Sequence, residues 1–210
     1  MDFATSCYVS GLHQDTQTGQ TARDRYQQLL GLAVSRERQL LRFSRFLESN
    51  TTYFTAPAST RYHLNVEGGL VEHSVNVAET LLRLRDALAP DLEQESCVVC
   101  GLFHDLGKAG MPGQPYYLPI AQDRQRSDGR VRYVINQELV HMDVPTRSLF
   151  LLAQHIPLTA EEAQAIRYHD GQYIAENRSV AHRECRLTRL LQYADNWAAG
   201  TLESSGQTRP

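Results

Sequence analysis

Phe103-His104-Asp105-Leu106-Gly107-Lys108 closes an apolar run whose period predicts a helix from about Glu95 to Leu106. Val98, Val99, Leu102, Phe103 and Leu106 recur at helical spacing, and Asp105 falls on the face of Val98 and Leu102. A carboxylate therefore occupies a core position. Burying it alone is costly, so a cation or several hydrogen-bond donors are expected beside it. The adjacent His104 is the obvious second ligand of a metal ion, and the remaining ligands must come from elsewhere in the chain.

Upstream, Gly68-Gly69 leads into an amphipathic helix running to about Leu88, on which His73 shares a face with Leu70, Val77 and Leu81. Residues 21 to 48 carry helical periodicity as one long helix or as two broken near Gly31, and residues 1–20 read as a loose arm in which His13 is solvated. Downstream, Tyr116-Tyr117-Leu118-Pro119-Ile120 and Val131-Arg132-Tyr133-Val134-Ile135 flank Ser127-Asp128-Gly129, a hairpin signal spanning about 115–136. Glu138-Leu139-Val140-His141-Met142 reads as a short helix, and residues 146–155 as a second one, with His155 at its end. Thr159-Ala160-Glu161-Glu162 provides a capping box for a helix reaching about His169. The last helix spans about Arg183 to Ala199, with Leu187, Leu190, Leu191, Ala194 and Ala198 inward and Asp195 beside that stripe; residues 201–210 read as a disordered tail.

With 210 residues, 41% of them hydrophobic, the chain has material for one helical domain over residues 21–200. A net charge of -3 provides no field for wrapping duplex nucleic acid. No apolar run long enough to span a bilayer and no secretory signal pattern is present, so the expectation is a cytoplasmic protein with no membrane partner. Cys97 and Cys100 form a C-x-x-C, but they lie among Val98, Val99 and Leu102, with Cys7 and Cys185 far away, and read as buried small hydrophobes.

His73, His104, Asp105, His141, His169 and Asp195 come from five segments and lie on inward faces or at helix ends. Imidazoles and carboxylates without thiolate suit a divalent ion such as Fe, Mn, Zn, Ni or Mg. In order, Gly68-Gly69-Leu70-Val71-Glu72-His73-Ser74, Phe103-His104-Asp105-Leu106-Gly107-Lys108 and Tyr193-Ala194-Asp195-Asn196 resemble the motifs of the HD-domain metal-dependent phosphohydrolases. The hairpin after the lysine resembles a bacterial and phage-associated subgroup. The resemblance implies an all-α HD-domain bundle with a small β-hairpin insertion, and a first metal held by His73, His104, Asp105 and Asp195. In dinuclear members two intermediate histidines hold a second metal, and His141 and His169 stand where those are expected, with Asp105 as the bridge. Such members often carry a His-His pair where this chain has Tyr168-His169; the alternative is one ion, with His141 and His169 lining the cleft.

What the resemblance implies chemically is hydrolysis of a phosphoester by a metal-activated water, with Asp105 and Lys108 catalytic and Lys108 stabilising charge on phosphate. The expected substrate is a small phosphate ester, a nucleotide, or the end of a short single-stranded nucleic acid. Lys108, Arg147, Tyr116, Tyr117 and Tyr173 are candidate substrate contacts, because arginine grips phosphate and tyrosine stacks on bases; hairpin packing is the competing role for the tyrosines. Asp170 either orients His169 or caps a turn, and His63 borders the cleft. The alternative function is a non-catalytic nucleotide-binding or signalling module of the same fold. Nothing in the sequence specifies an oligomeric state.

Overall fold

In the computed structural model, which describes residues 20–60, 62–120 and 133–204, seven α-helices and one two-stranded ladder surround an apolar core. The helices are α1 (Ala22–Leu30), α2 (Glu37–Asn50), α3 (Gly69–Leu88), α4 (Gln94–Phe103), α5 (Val144–Ala153), α6 (Ala160–Arg167) and α7 (Arg186–Trp197). The N-terminal periodicity thus resolves into two helices, broken after Gly31 by a short 3-10 turn at Val34–Arg36. No helix among the described residues is long and apolar enough to cross a membrane.

Helix α3 is central, packing against α1, α4 and α7. It starts at Gly68, whose φ of +76° favours glycine. Gly69 follows because a Cβ there would lie 2.1 Å from the Leu64 carbonyl oxygen. On α4, a Cβ at Gly101 would lie 2.5 Å from Ala78 Cα, so the absence of a side chain lets α3 and α4 approach closely. Tyr26, Phe43, Tyr53 and Phe103 fill the adjacent core, and the Tyr53 hydroxyl donates to the Leu102 carbonyl at 2.6 Å. Cys97 and Cys100 are buried and free on α4, as expected.

Three polar devices brace this core. Thr159 and Glu162 form the expected capping box of α6. Glu162, fully buried, also binds Arg36, which reaches Glu95 on α4 and so ties the entry of α2 to α4 and α6. The Arg25 guanidinium joins α1 to Glu72, Asn76 and Glu79 along α3.

Several expectations need correction. Helix α4 ends at Phe103, short of Leu106, and His104-Asp105 form a turn before a 3-10 turn at Leu106–Ala109. The reason is packing: a Cβ at Gly107 would lie 2.3 Å from the Val144 carbonyl oxygen, and Gly107 N–H donates to Ser148 Oγ at 2.8 Å. The helix expected at residues 138–142 is absent. There the chain is irregular because Asp143 caps α5, accepting from Thr146 N–H at 2.7 Å, and the Val140 and Met142 carbonyls are taken by Arg147. The tail does not fray at residue 201: a π-helical turn, Ala198–Leu202, continues α7 and places Glu203 against α3.

The hairpin forms as β1 (Tyr117–Pro119) and β2 (Tyr133–Ile135), antiparallel, with Leu118 opposite Val134. The Asp128-Gly129 turn, the arm of residues 1–19 with Cys7 and His13, and residues 205–210 lie outside the described residues.

Candidate metal centre

His73 comes from the second turn of α3 and His104 from the turn after α4, and the close helix approach at Gly101 brings their Nε2 atoms to 3.3 Å. The Nδ1 of His104 lies 2.9 Å from the Gly101 carbonyl oxygen, and the Nδ1 of His73 lies 3.1 Å from both carboxylate oxygens of Glu203. Each Nδ1 faces an acceptor and must carry a proton, so each imidazole in its neutral form has a bare lone pair on Nε2. Two lone pairs at that distance repel unless a proton or a cation sits between them.

Carboxylates complete the cluster. Asp195 Oδ1, from α7, is 3.2 Å from His73 Nε2 and 3.9 Å from His104 Nε2. Asp105 Oδ2 is 3.5 Å and 3.7 Å from the same two atoms. Ligands bound about 2.0–2.2 Å from one ion stand about 2.8–3.6 Å from each other, so His73, His104 and Asp195 could share one divalent cation after small shifts, with Asp105 Oδ2 beside the two imidazoles. The other oxygen, Asp105 Oδ1, faces His169 Nε2 at 3.5 Å, and His169 Nδ1 is held at 2.9 Å by the Ile166 carbonyl in the manner of His104. Asp105 therefore presents one oxygen to His73 and His104 and the other to His169. Lys108 Nζ contacts Asp105 Oδ2, and Asp170 Oδ1 lies 3.6 Å from His169 Nε2.

The charge states follow from this crowding. Burial opposes a charge on His73, but the carboxylates of Asp195 and Glu203 overcome it and raise the imidazole to about 10. Burial likewise opposes a charge on His169, and Asp105 raises it to about 9. Burial holds His104 down at about 4, with Asp105 opposing and His169 reinforcing. Burial pushes the Asp105 carboxyl upward, yet Lys108 and the histidines hold it well below the usual range, and Asp195 is depressed against burial by His73 and His104. Without a cation the cluster fills its negative centre with protons on His73 and His169.

His73, Asp105, His169 and Asp195 floor a cleft of about 640 Å³, whose lining also includes His63, Lys108, Asp170, Tyr173, Tyr193 and Trp197, with His104 fully buried beside them. His73, His104, Asp105, His169 and Asp195, all expected as ligands, are brought together; His141 is not. It is exposed on the irregular segment before α5 and belongs to none of the ligand clusters among the described residues, because the helix that was to carry it does not form. Arg147 is likewise no free phosphate clamp. It is buried, donates to the carbonyls of Gly107 at 3.2 Å and Met142 at 3.0 Å, and lies over the Tyr116 ring at 4.8 Å. Tyr116 and Tyr117 pack on each other edge to face, Tyr117 is buried, and neither lines the cleft. Tyr173 does line it and is 89% exposed.

Of two further residues beside the cluster, one was expected and one escaped sequence reasoning. His63 borders the cleft as expected, with its ring 4.9 Å from that of His73. Glu203 stood in a segment without periodicity; its proximity to His73 is a long-range contact that no local pattern signals.

Compared with known proteins, the chain matches one family model, that of the HD domain, over residues 70–200. No curated protein and no solved structure matches it.

Proposed function

We propose that this chain, which belongs to the HD-domain family, hydrolyses a phosphoester of a nucleotide or of a nucleic-acid end at a divalent metal centre. The observation that carries the reading is the clustering of the imidazoles of His73, His104 and His169 with Asp105 and Asp195, of which His73, His169, Asp105 and Asp195 line one cleft with Lys108 while His104 is fully buried beside them. His73, His104, Asp105 and Asp195 would hold one ion, and Asp105 with His169 a second. Three imidazoles in the donor set favour a first-row transition metal over magnesium.

When bound, such ions supply Lewis acidity that lowers the pKa of water and neutralises charge on a phosphoryl oxygen. The protein's own groups do the rest. Asp105 and Asp195 hold the negative charge that a cation needs. Lys108, largely buried at the cleft wall and held protonated by Asp105 against burial, offers donors to a phosphate oxygen as charge grows there. Tyr173, exposed at the rim, offers a ring face to a base.

The deciding experiment is metal analysis of the purified protein followed by phosphate release from a panel of nucleoside mono-, di- and triphosphates, cyclic nucleotides and short single strands with 3′ or 5′ phosphates. Bound metal and release from at least one class support the reading. Bound metal with tight nucleotide binding and no release would favour the signalling module instead.

A further inference from the structure

The three imidazoles of the centre are not held alike. His104 and His169 each give Nδ1 to the carbonyl three residues earlier in their own segment. His73 lies within α3, where backbone carbonyls are engaged in the helix, and the Leu70 carbonyl also accepts from Ser74 Oγ at 2.9 Å. Its Nδ1 instead meets a full carboxylate from another element, with both Glu203 oxygens at 3.1 Å.

That carboxylate is itself held in place. Its side chain is only 1% exposed, Asn76 Nδ2 donates to Oε1 at 3.0 Å, and His63 Nε2 stands 3.7 Å from Oε2. The backbone arrangement serves the same end. Helix α7 carries Asp195 and then widens into the π turn Ala198–Leu202, closed by a hydrogen bond from Glu203 N–H to the Ala198 carbonyl at 3.0 Å. Short π segments inside or after α-helices frequently occur at functional sites. Here the turn delivers Glu203 to the Nδ1 side of His73, while Asp195 faces the Nε2 side of the same ring.

We propose that Glu203 is a positioning residue of the metal centre, whose carboxylate fixes the Nδ1–H form of His73 so that its Nε2 lone pair is presented to a divalent cation. The inference rests on the reading of His73 as a metal ligand. A carboxylate behind a ligating imidazole both orients the ring and raises its basicity, and losing such a partner weakens metal affinity by about 10- to 100-fold. His104 and His169, held by neutral carbonyls, lack that charge.

The test is zinc affinity, by chelator competition on the full chain, for the wild type, His104→Ala, Glu203→Ala and the nearly isosteric Glu203→Gln, with proton–nitrogen correlation spectra of the histidine rings in the zinc-loaded proteins. Expected are loss of binding in His104→Ala, and a fall of about 10- to 100-fold in Glu203→Ala with zinc stoichiometry unchanged. Glu203→Gln keeps the shape and removes the charge, so an intermediate fall and a shifted His73 Nδ1–H resonance separate positioning from packing. Wild-type affinity and an unmoved resonance in both Glu203 variants would overturn the inference. A lost zinc equivalent would also overturn it, by making Glu203 a ligand. Undiminished binding in His104→Ala would instead remove the metal-centre reading itself.

Discussion

His73 Nε2 and His104 Nε2 face each other at 3.3 Å, each with its other nitrogen committed to an acceptor. The pair could hold a cation between its two Nε2 atoms. His104→Ala or Asp105→Ala should therefore remove bound metal and phosphohydrolase activity together while leaving the far-ultraviolet circular dichroism close to wild type, because both residues lie in a turn outside α4. Undiminished metal in the purified variants, read by elemental analysis, would contradict this.

Metal affinity should climb with pH well beyond the ordinary histidine range. His73 at about 10 and His169 at about 9 are protonated at neutral pH without a cation, so binding must displace those protons. The same shifts govern stability. Both imidazoles are raised above their ordinary 6.5, so their contribution to the metal-free protein is whole below pH 6.5 and is lost as pH rises through 9 and 10. The depressed Asp105 and Asp195 contribute above their ordinary 3.8, and that contribution is lost as acid protonates them. Melting curves with a chelator should fall on the alkaline side, and zinc should abolish that fall. Proton release on zinc addition at neutral pH, followed with an indicator dye, checks the first half.

Gly101→Ala should weaken both the fold and the site. The added methyl would meet Ala78 Cα at 2.5 Å and Cβ at 2.8 Å, backbone that cannot swing aside. Forcing α3 from α4 should cost about 1–3 kcal/mol, visible as a lower midpoint in urea. Since His73 rides on α3 and His104 follows directly on the end of α4, zinc affinity should fall with stability. An unchanged affinity beside a lowered midpoint would show that the site re-forms around the methyl.

Where the sequence was legible, a local pattern carried the answer. The spacing of Leu70, Val77 and Leu81 places α3 and turns His73 inward, and Thr159 with Glu162 starts α6. The stripe from Leu187 to Ala198 defines α7 and puts Asp195 at its edge. What failed depends on partners distant in the chain. Residues 138–142 look helical, but a buried Arg147 captures their carbonyls, and His141 is left in solvent. Arg147 reads as a phosphate clamp because its charge is visible in the sequence and its burial is not. Glu203 stands in a segment without periodicity, so no local pattern announces that it folds back on α3.

Arg147→Ala should accordingly behave as a stability variant. Its loss takes the donor from the Met142 carbonyl and one of two donors from the Gly107 carbonyl, which keeps the Gly110 N–H, and uncovers the Tyr116 ring, worth about 2–3 kcal/mol together. Lysine cannot reproduce the fork and should not rescue. Thermal melts should show the loss in both variants, with KM for the best substrate near wild type. A large rise in KM at unchanged stability would return Arg147 to the substrate.

Lys108→Met separates holding a cation from using it. The ammonium shares Asp105 Oδ2 with any ion bound between His73 and His104, so it repels that ion while helping to balance the buried carboxylate. Removing the charge should tighten zinc binding a few-fold. Turnover should move the other way, since a positioned donor to growing charge on phosphate is worth about 100-fold or more in rate. Chelator competition and phosphate release on the same preparation read the two effects. Opposite signs assign Lys108 to the reacting phosphate, whereas a joint fall would mean that it serves only to hold Asp105 in place.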